Sequence, residues 1–252
     1  MTNYNPTPTI ISESLDILHF IWNYVNEHES LHSPNPMVVI GGWAVHAYNP
    51  WFGSLDIDLI TSNNMRESLK HYLKKDMGFE TYRLPYTTAS SVCKKSSEGQ
   101  LIIIDFATYE KDQRFEGSEH NFSFEILRHN TTIRAINNNI SIRVPNRSVL
   151  LIFKLKAAWD RNFRIEKETS HDTEWERGKL LKDYGDILAL LDPSKGSREI
   201  MIEIVGEYLT QYWFLKECFS RLIQSDEPFE FYRGVSPDQG KRIISDLLEM
   251  VE

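Results

Sequence analysis

The chain has 252 residues, 41% of them hydrophobic and 25% charged, enough apolar material for a two-part globular protein and too much for a disordered one. Its net charge of -8 argues against a generally basic nucleic-acid-binding surface, while leaving room for a local cationic groove. Two cysteines far apart, Cys93 and Cys218, suggest neither a disulfide framework nor a zinc site. No apolar run approaches the roughly 20 residues that span a bilayer, so the expectation is a soluble protein of a reducing cytoplasm with no membrane partner.

In chain order, Ile11, Leu15, Leu18, Trp22 and Val25 repeat at helical spacing and predict a helix from about Ser12 to His28. After a break at the His-Glu-Ser-Leu-His-Ser-Pro-Asn-Pro segment, Val38 to Ile40 reads as a strand feeding Gly41-Gly42. A short helix from Trp43 to Tyr48 follows, stopped by Asn49-Pro50. Leu55 to Leu59 alternates as a strand does, with Asp56 and Asp58 on one face and Leu55, Ile57 and Leu59 on the other. Ser62 or Asn64 caps a helix that runs to Lys75 and is ended by Gly78; Phe79 to Arg83 is the next strand.

Beyond Thr87 the pattern is one of short strands: Ser91 to Lys95, Leu101 to Thr108, Phe122 to His129, Thr132 to Ile136 and Ile140 to Val144. Leu101 to Thr108 reads as a strand buried on both faces, with Asp105 its one charge. Glu110 to His120 reads as a polar loop. Past Pro145 the texture becomes helical. Asn146 or Ser148 opens a helix to about Arg161, and a second helix ends near Leu191 before Asp192-Pro193. Ser197 to Leu209, Gln211 to Ile223 and Ser236 to Val251 complete the set.

The chemistry concentrates between Met37 and Thr61. Two carboxylates on one strand face repel unless a cation lies between them, and hard oxygen donors favour Mg²⁺ or Mn²⁺. A glycine pair where a strand enters a helix lets the backbone approach an anion such as a nucleotide triphosphate. Asp105 on a neighbouring strand would complete a set able to hold two metal ions. An Asp-x-Asp pair alone is common in turns and strand edges; the ordered combination of glycine pair, paired aspartates in an apolar strand and a later strand aspartate is what carries the reading. Trp43 suits either a base-stacking role or the core. His46 suits helix packing better than a base. Lys154 and Arg161, two helical turns apart, suit a triphosphate and a solvated helix face equally.

Gly41-Gly42 followed by Asp56-Ile57-Asp58 and by Asp105 resembles the pattern of the DNA polymerase β-type nucleotidyltransferase superfamily. Gly-Gly-Trp-Ala-Val with Ser-Leu-Asp-Ile-Asp-Leu is similar to its aminoglycoside nucleotidyltransferase and AbiEii-type toxin branches. Lys154 and Arg161 followed by Lys182-Asp183-x-x-Asp186 look like the helical part of the AbiEii-type branch. The resemblance implies an α/β (α+β) fold: a nucleotidyltransferase domain at 1–145 with a mixed sheet flanked by helices, a helical domain at 146–252, and an NTP in a cleft between them. It implies transfer of an NMP from an NTP to an acceptor hydroxyl with release of pyrophosphate. Asp56, Asp58 and Asp105 would be the catalytic, metal-binding residues, and Gly41, Gly42, Trp43, Lys154, Arg161, Lys182, Asp183 and Asp186 would bind the nucleotide. The acceptor stays open among RNA, protein and a small molecule such as an aminoglycoside, with a cognate antitoxin or other partner protein alongside. Many superfamily members carry Ser where this chain has Trp43, which keeps a non-catalytic nucleotide- or partner-binding protein among the alternatives.

Overall fold

The computed structural model describes residues 6–30, 33–82, 90–137 and 140–251. The described residues divide into two compact units, one comprising 6–112 with 123–145, the other 113–122 with 146–251.

The first unit begins with helix α1 (Pro8–His28), a turn earlier than the hydrophobic stripe alone predicts. Thr7 caps it by accepting from the Ile10 N–H, and Pro8 opens its first turn. Strand β1 (Val38–Ile40) leads directly into helix α2 (Gly41–His46), so the glycine pair forms the first turn of the helix rather than preceding it. Strand β2 (Asp56–Thr61) and helix α3 (Asn63–Asp76), capped by Ser62 on the Met65 N–H, follow as expected. Strands β3 (Glu80–Tyr82), β4 (Ser90–Lys95) and β5 (Leu101–Thr108) complete the sheet; the expected end of β3 at Arg83 lies outside the described residues.

The five strands lie in the order β1-β2-β5-β4-β3, with β2 and β5 parallel and every other pair antiparallel, a mixed sheet. Ile57, Ile104 and Val92 pair laterally across the three central strands and are fully buried, one layer of the apolar core. Leu59 and Val39 continue that layer toward the edge.

Strand β5 departs from the expectation of burial on both faces. Ile102, Ile104, Phe106 and Thr108 are buried, while Ile103, Asp105 and Ala107 are half-exposed. Six of its eight residues are apolar and they lie on both faces, yet only one face meets the core, and Asp105 sits on the other.

Strand β6 (Gln113–Arg114), inside the segment expected to be a polar loop, pairs as a hairpin with β7 (Asn121–Phe122) just beyond that segment, and both belong to the second unit. The strand expected over Phe122 to His129 is instead a 3-10 turn, Phe124–Arg128, in the first unit. Ser123 caps it through the Glu125 N–H, and Glu125 pairs with Arg128 one turn on, local bonds that compete with a ladder. The hairpin of β8 (Thr131–Ala135) and β9 (Ser141–Pro145) closes the unit.

The second unit is helical apart from the β6–β7 hairpin. Helix α4 (Arg147–Glu166), capped by Asn146, outruns its expected end at Arg161 by more than a turn and packs on α5 (Thr173–Leu191), capped by Asp172. The helix expected from Ser197 resolves into a 3-10 turn and α6 (Ile202–Gln211); that expected from Gln211 begins at α7 (Lys216–Gln224) after a 3-10 turn at Trp213–Leu215. Helix α8 (Glu227–Tyr232) was not foreseen, and α9 (Pro237–Met250) starts on its Ser236 cap as predicted. Buried Arg147 donates to the carbonyls of Leu190, at the end of α5, and Lys195, in the 3-10 turn that follows. Among the described residues no helix is long and apolar enough to cross a membrane.

Candidate active site

Alternation on β2 puts Asp56 and Asp58 on the half-exposed face while Ile57 and Leu59 enter the core. In the parallel ladder Asp58 pairs with Asp105 and Asp56 with Ile103, so two carboxylates stand side by side on adjacent strands and the third lies two residues along the same face. The row continues laterally. Asp105 pairs with Ser91 on β4, Ser91 with Tyr82 on β3, and Asp58 with Ile40 on β1. Paired residues project to the same side of a sheet, so Tyr82, Ser91, Asp105 and Asp58 share one face.

Each carboxylate has a defined setting. The Ser91 hydroxyl donates to Oδ1 of Asp105. The Asp58 carboxylate lies against Gly41: a Cβ on that residue would stand 2.0 Å from Oδ2 of Asp58. Gly41 also has φ +67°, a backbone region that residues with a Cβ rarely enter. The glycine is therefore demanded twice at the turn from β1 into α2. Burial foremost, with Cys93, Asp105 and Asp56 adding, pushes the Tyr82 phenol up, which sets that ring within electrostatic reach of two of the three carboxylates.

The three aspartates share a face without closing into a cage: among the described residues no group of three His, Cys, Asp or Glu side chains is arranged as a ready-made metal site. Their chemistry nevertheless fits a hard divalent cation, since the donors are carboxylate oxygens on one accessible sheet face, two of them laterally adjacent.

Trp43 is fully buried, so its indole belongs to the core and stacking on a base is closed to it. Any contact it makes with a nucleotide passes through its backbone. Its ring packs obliquely on His46, centroids 5.2 Å apart.

The other predicted residues lie in the second unit and come together there. Lys154 Nζ reaches Asp183 Oδ1 at 3.0 Å and Asp186 Oδ2 at 2.7 Å; Lys182 Nζ meets Asp186 Oδ2 at 2.5 Å; Arg161 Nε meets Asp183 Oδ2 at 2.8 Å. Two further residues extend the network. Glu176 accepts from Arg161 at 3.0 Å and also pairs with Arg164. Helical spacing could have found both, because Glu176 precedes Asp183 by two turns and Arg164 follows Arg161 by one. Burial alone would push the Lys154 ammonium down, but the charges of Asp183 and Asp186 and their hydrogen bonds outweigh it and hold it above its ordinary range. For Asp183 burial pulls upward, and Lys154, Arg161 and Lys182 together win, holding the carboxyl well below the usual range. Of the five predicted residues here, Arg161 is the most exposed, its side chain at 17%; its guanidinium lies 5.6 Å from the ring centre of exposed Trp175.

No protein-family model matches the chain and no curated protein matches its sequence. Solved structures similar to it include nucleotidyltransferase-like proteins. The antibiotic-resistance factor ANT(2'')-Ia is 14% identical, with 82% of this chain and 97% of that one covered and a TM-score of 0.47. An antigenic nucleotidyltransferase-like protein from Paracoccidioides brasiliensis is 13% identical over 92% of this chain and 95% of its own, TM-score 0.47. The lincosamide antibiotic adenylyltransferase LnuA, in its lincomycin-bound crystal structure, is 15% identical over 74% and 97%, TM-score 0.39.

Proposed function

We propose that the chain is a metal-dependent nucleotidyltransferase that moves an NMP from an NTP to an acceptor hydroxyl and releases pyrophosphate. The observation that carries this reading is the lateral pairing of Asp58 with Asp105, with Asp56 on the same face and Gly41 against the Asp58 carboxylate. A structural role gives no reason to set three carboxylates on one sheet face, where they repel.

In this reading Asp56, Asp58 and Asp105 would hold Mg²⁺ or Mn²⁺, which would neutralise charge developing on the phosphates and make the acceptor hydroxyl more acidic. The acceptor oxygen forms a bond to the α-phosphorus as the bond to the bridging oxygen breaks and pyrophosphate leaves. The hydroxyl proton passes to the Asp105 carboxylate, the general base. The backbone of Gly41, Gly42 and Trp43 receives the phosphates, glycine allowing close approach. In the helical unit Asp183 and Glu176 hold Arg161, and Lys154, Lys182 and Asp186 complete that network.

The acceptor is cellular RNA or protein, as for a toxin, or else a small cationic molecule such as an aminoglycoside. A cytoplasmic setting, where NTPs are found, goes with this reading, and a cognate antitoxin with its first branch. Purified protein incubated with each labelled NTP, Mg²⁺ or Mn²⁺, and separately with RNA, protein or aminoglycoside should release pyrophosphate and label one acceptor. The Asp56→Asn/Asp58→Asn double variant should keep its fold and lose both signals. Unchanged turnover in that variant rules the enzyme reading out, and nucleotide binding with no turnover under any condition points to a binding protein of the same fold.

A further inference from the structure

Among the residues facing the three aspartates, Ser91 stands in a place that demands an account. It is 4% exposed, lies between Asp105 and Tyr82 in the lateral row, and directs its hydroxyl to Oδ1 of Asp105. Its neighbour along the strand, Val92, shows what a buried position in β4 ordinarily holds. A carboxylate on a strand turns about its side-chain bonds unless something holds an oxygen, and a buried hydroxyl that donates to it selects one orientation.

Resting on the nucleotidyltransferase reading above, we propose that Ser91 is a positioning residue for the reaction. By holding Oδ1 it fixes the orientation in which Asp105 meets the divalent cation and the acceptor proton. Partners that orient a ligating carboxylate in this way typically change metal affinity or activity by about 10- to 100-fold when removed.

The test uses two substitutions of equal shape. Ser91→Thr keeps the hydroxyl and Ser91→Val replaces it with a methyl group, so any cost of the added volume is common to both. Mn²⁺ binding to the full chain, followed by the electron-spin resonance of the free ion, should be within a few-fold of the original in Ser91→Thr and about 10- to 100-fold weaker in Ser91→Val. In the transfer assay Ser91→Val should lower kcat by at least about 10-fold with KM for the NTP unchanged, and Ser91→Thr should restore it. Equal Mn²⁺ affinity in the two variants, while Asp56→Asn abolishes binding, overturns the role of Ser91 alone. Mn²⁺ binding that is absent, or indifferent to Asp56→Asn, overturns the metal-dependent reading and this inference with it.

Discussion

Replacing Lys154 by Met tests whether the ion network between α4 and α5 is a buried structure or a screened surface. The ammonium lies between Asp183 and Asp186, with the three side chains only 7%, 6% and 1% exposed. Methionine keeps the length and apolar stem of the side chain and removes the charge. Deleting one partner of a buried ion pair costs about 3–5 kcal/mol, because a desolvated charge is left behind. Here Asp183 keeps Arg161 at 2.8 Å and Asp186 keeps Lys182, so the loss should fall at the lower end, about 3 kcal/mol. At 2–4 °C per kcal/mol for a chain of this size, Tm should drop by about 6–12 °C. Urea unfolding followed by circular dichroism should show a lower midpoint at unchanged slope. A loss under about 1 kcal/mol, the range of exposed pairs, would refute the reasoning.

The same network sets the pH dependence. Asp183 has its folded pKa depressed, so its contribution is present above the ordinary carboxyl value of about 4 and is lost as pH falls through the lower folded value. Lys154 has its folded pKa raised, so its contribution is present below about 10.4 and is lost as pH rises through the higher folded value. Stability measured against pH should therefore be flat for this network across the neutral range, and Lys154→Met should begin acid unfolding at a higher pH than the original chain. Gly41→Ala should cost about 1–2 kcal/mol from the left-handed backbone. It should also displace the Asp58 carboxylate, so transferase activity should fall further than the melting temperature accounts for; an active Gly41→Ala protein would contradict the site geometry.

The strands that carry the aspartates were legible because their apolar residues alternate or run on unbroken, and the caps at Ser62, Asn146 and Ser236 because their side chains precede apolar periods. Capping was also what misled elsewhere. Phe122 to His129 has strand composition, yet the Ser123 cap and the Glu125–Arg128 pair bind it into a 3-10 turn. Helix α8, six residues opened by a proline, is too short for a periodic pattern. Ser91 was invisible as a site residue because its meeting with Asp105 depends on the β4–β5 register, which composition does not contain. The apolar run of β5 suggests burial on both faces for want of the same information: such a run says what a strand tolerates, and its neighbours decide what covers it. The ion network was half legible, its aspartates readable as helix partners of Arg161, with Glu176 and Arg164 recoverable from helical spacing alone.

The sheet is two antiparallel pieces, β1–β2 and β3–β4–β5, joined by one parallel seam between β2 and β5. Each piece can form from near neighbours in the chain, whereas the seam must wait until the β3–β4 excursion has been closed, the slow kind of pairing. Asp58 stands on one side of that seam and Asp105 on the other. The three carboxylates thus come together only when that seam closes, and their mutual repulsion opposes its closing. A divalent cation in the refolding buffer should accelerate that step, so the ion proposed for catalysis would also act as a fastener during the chain's own assembly.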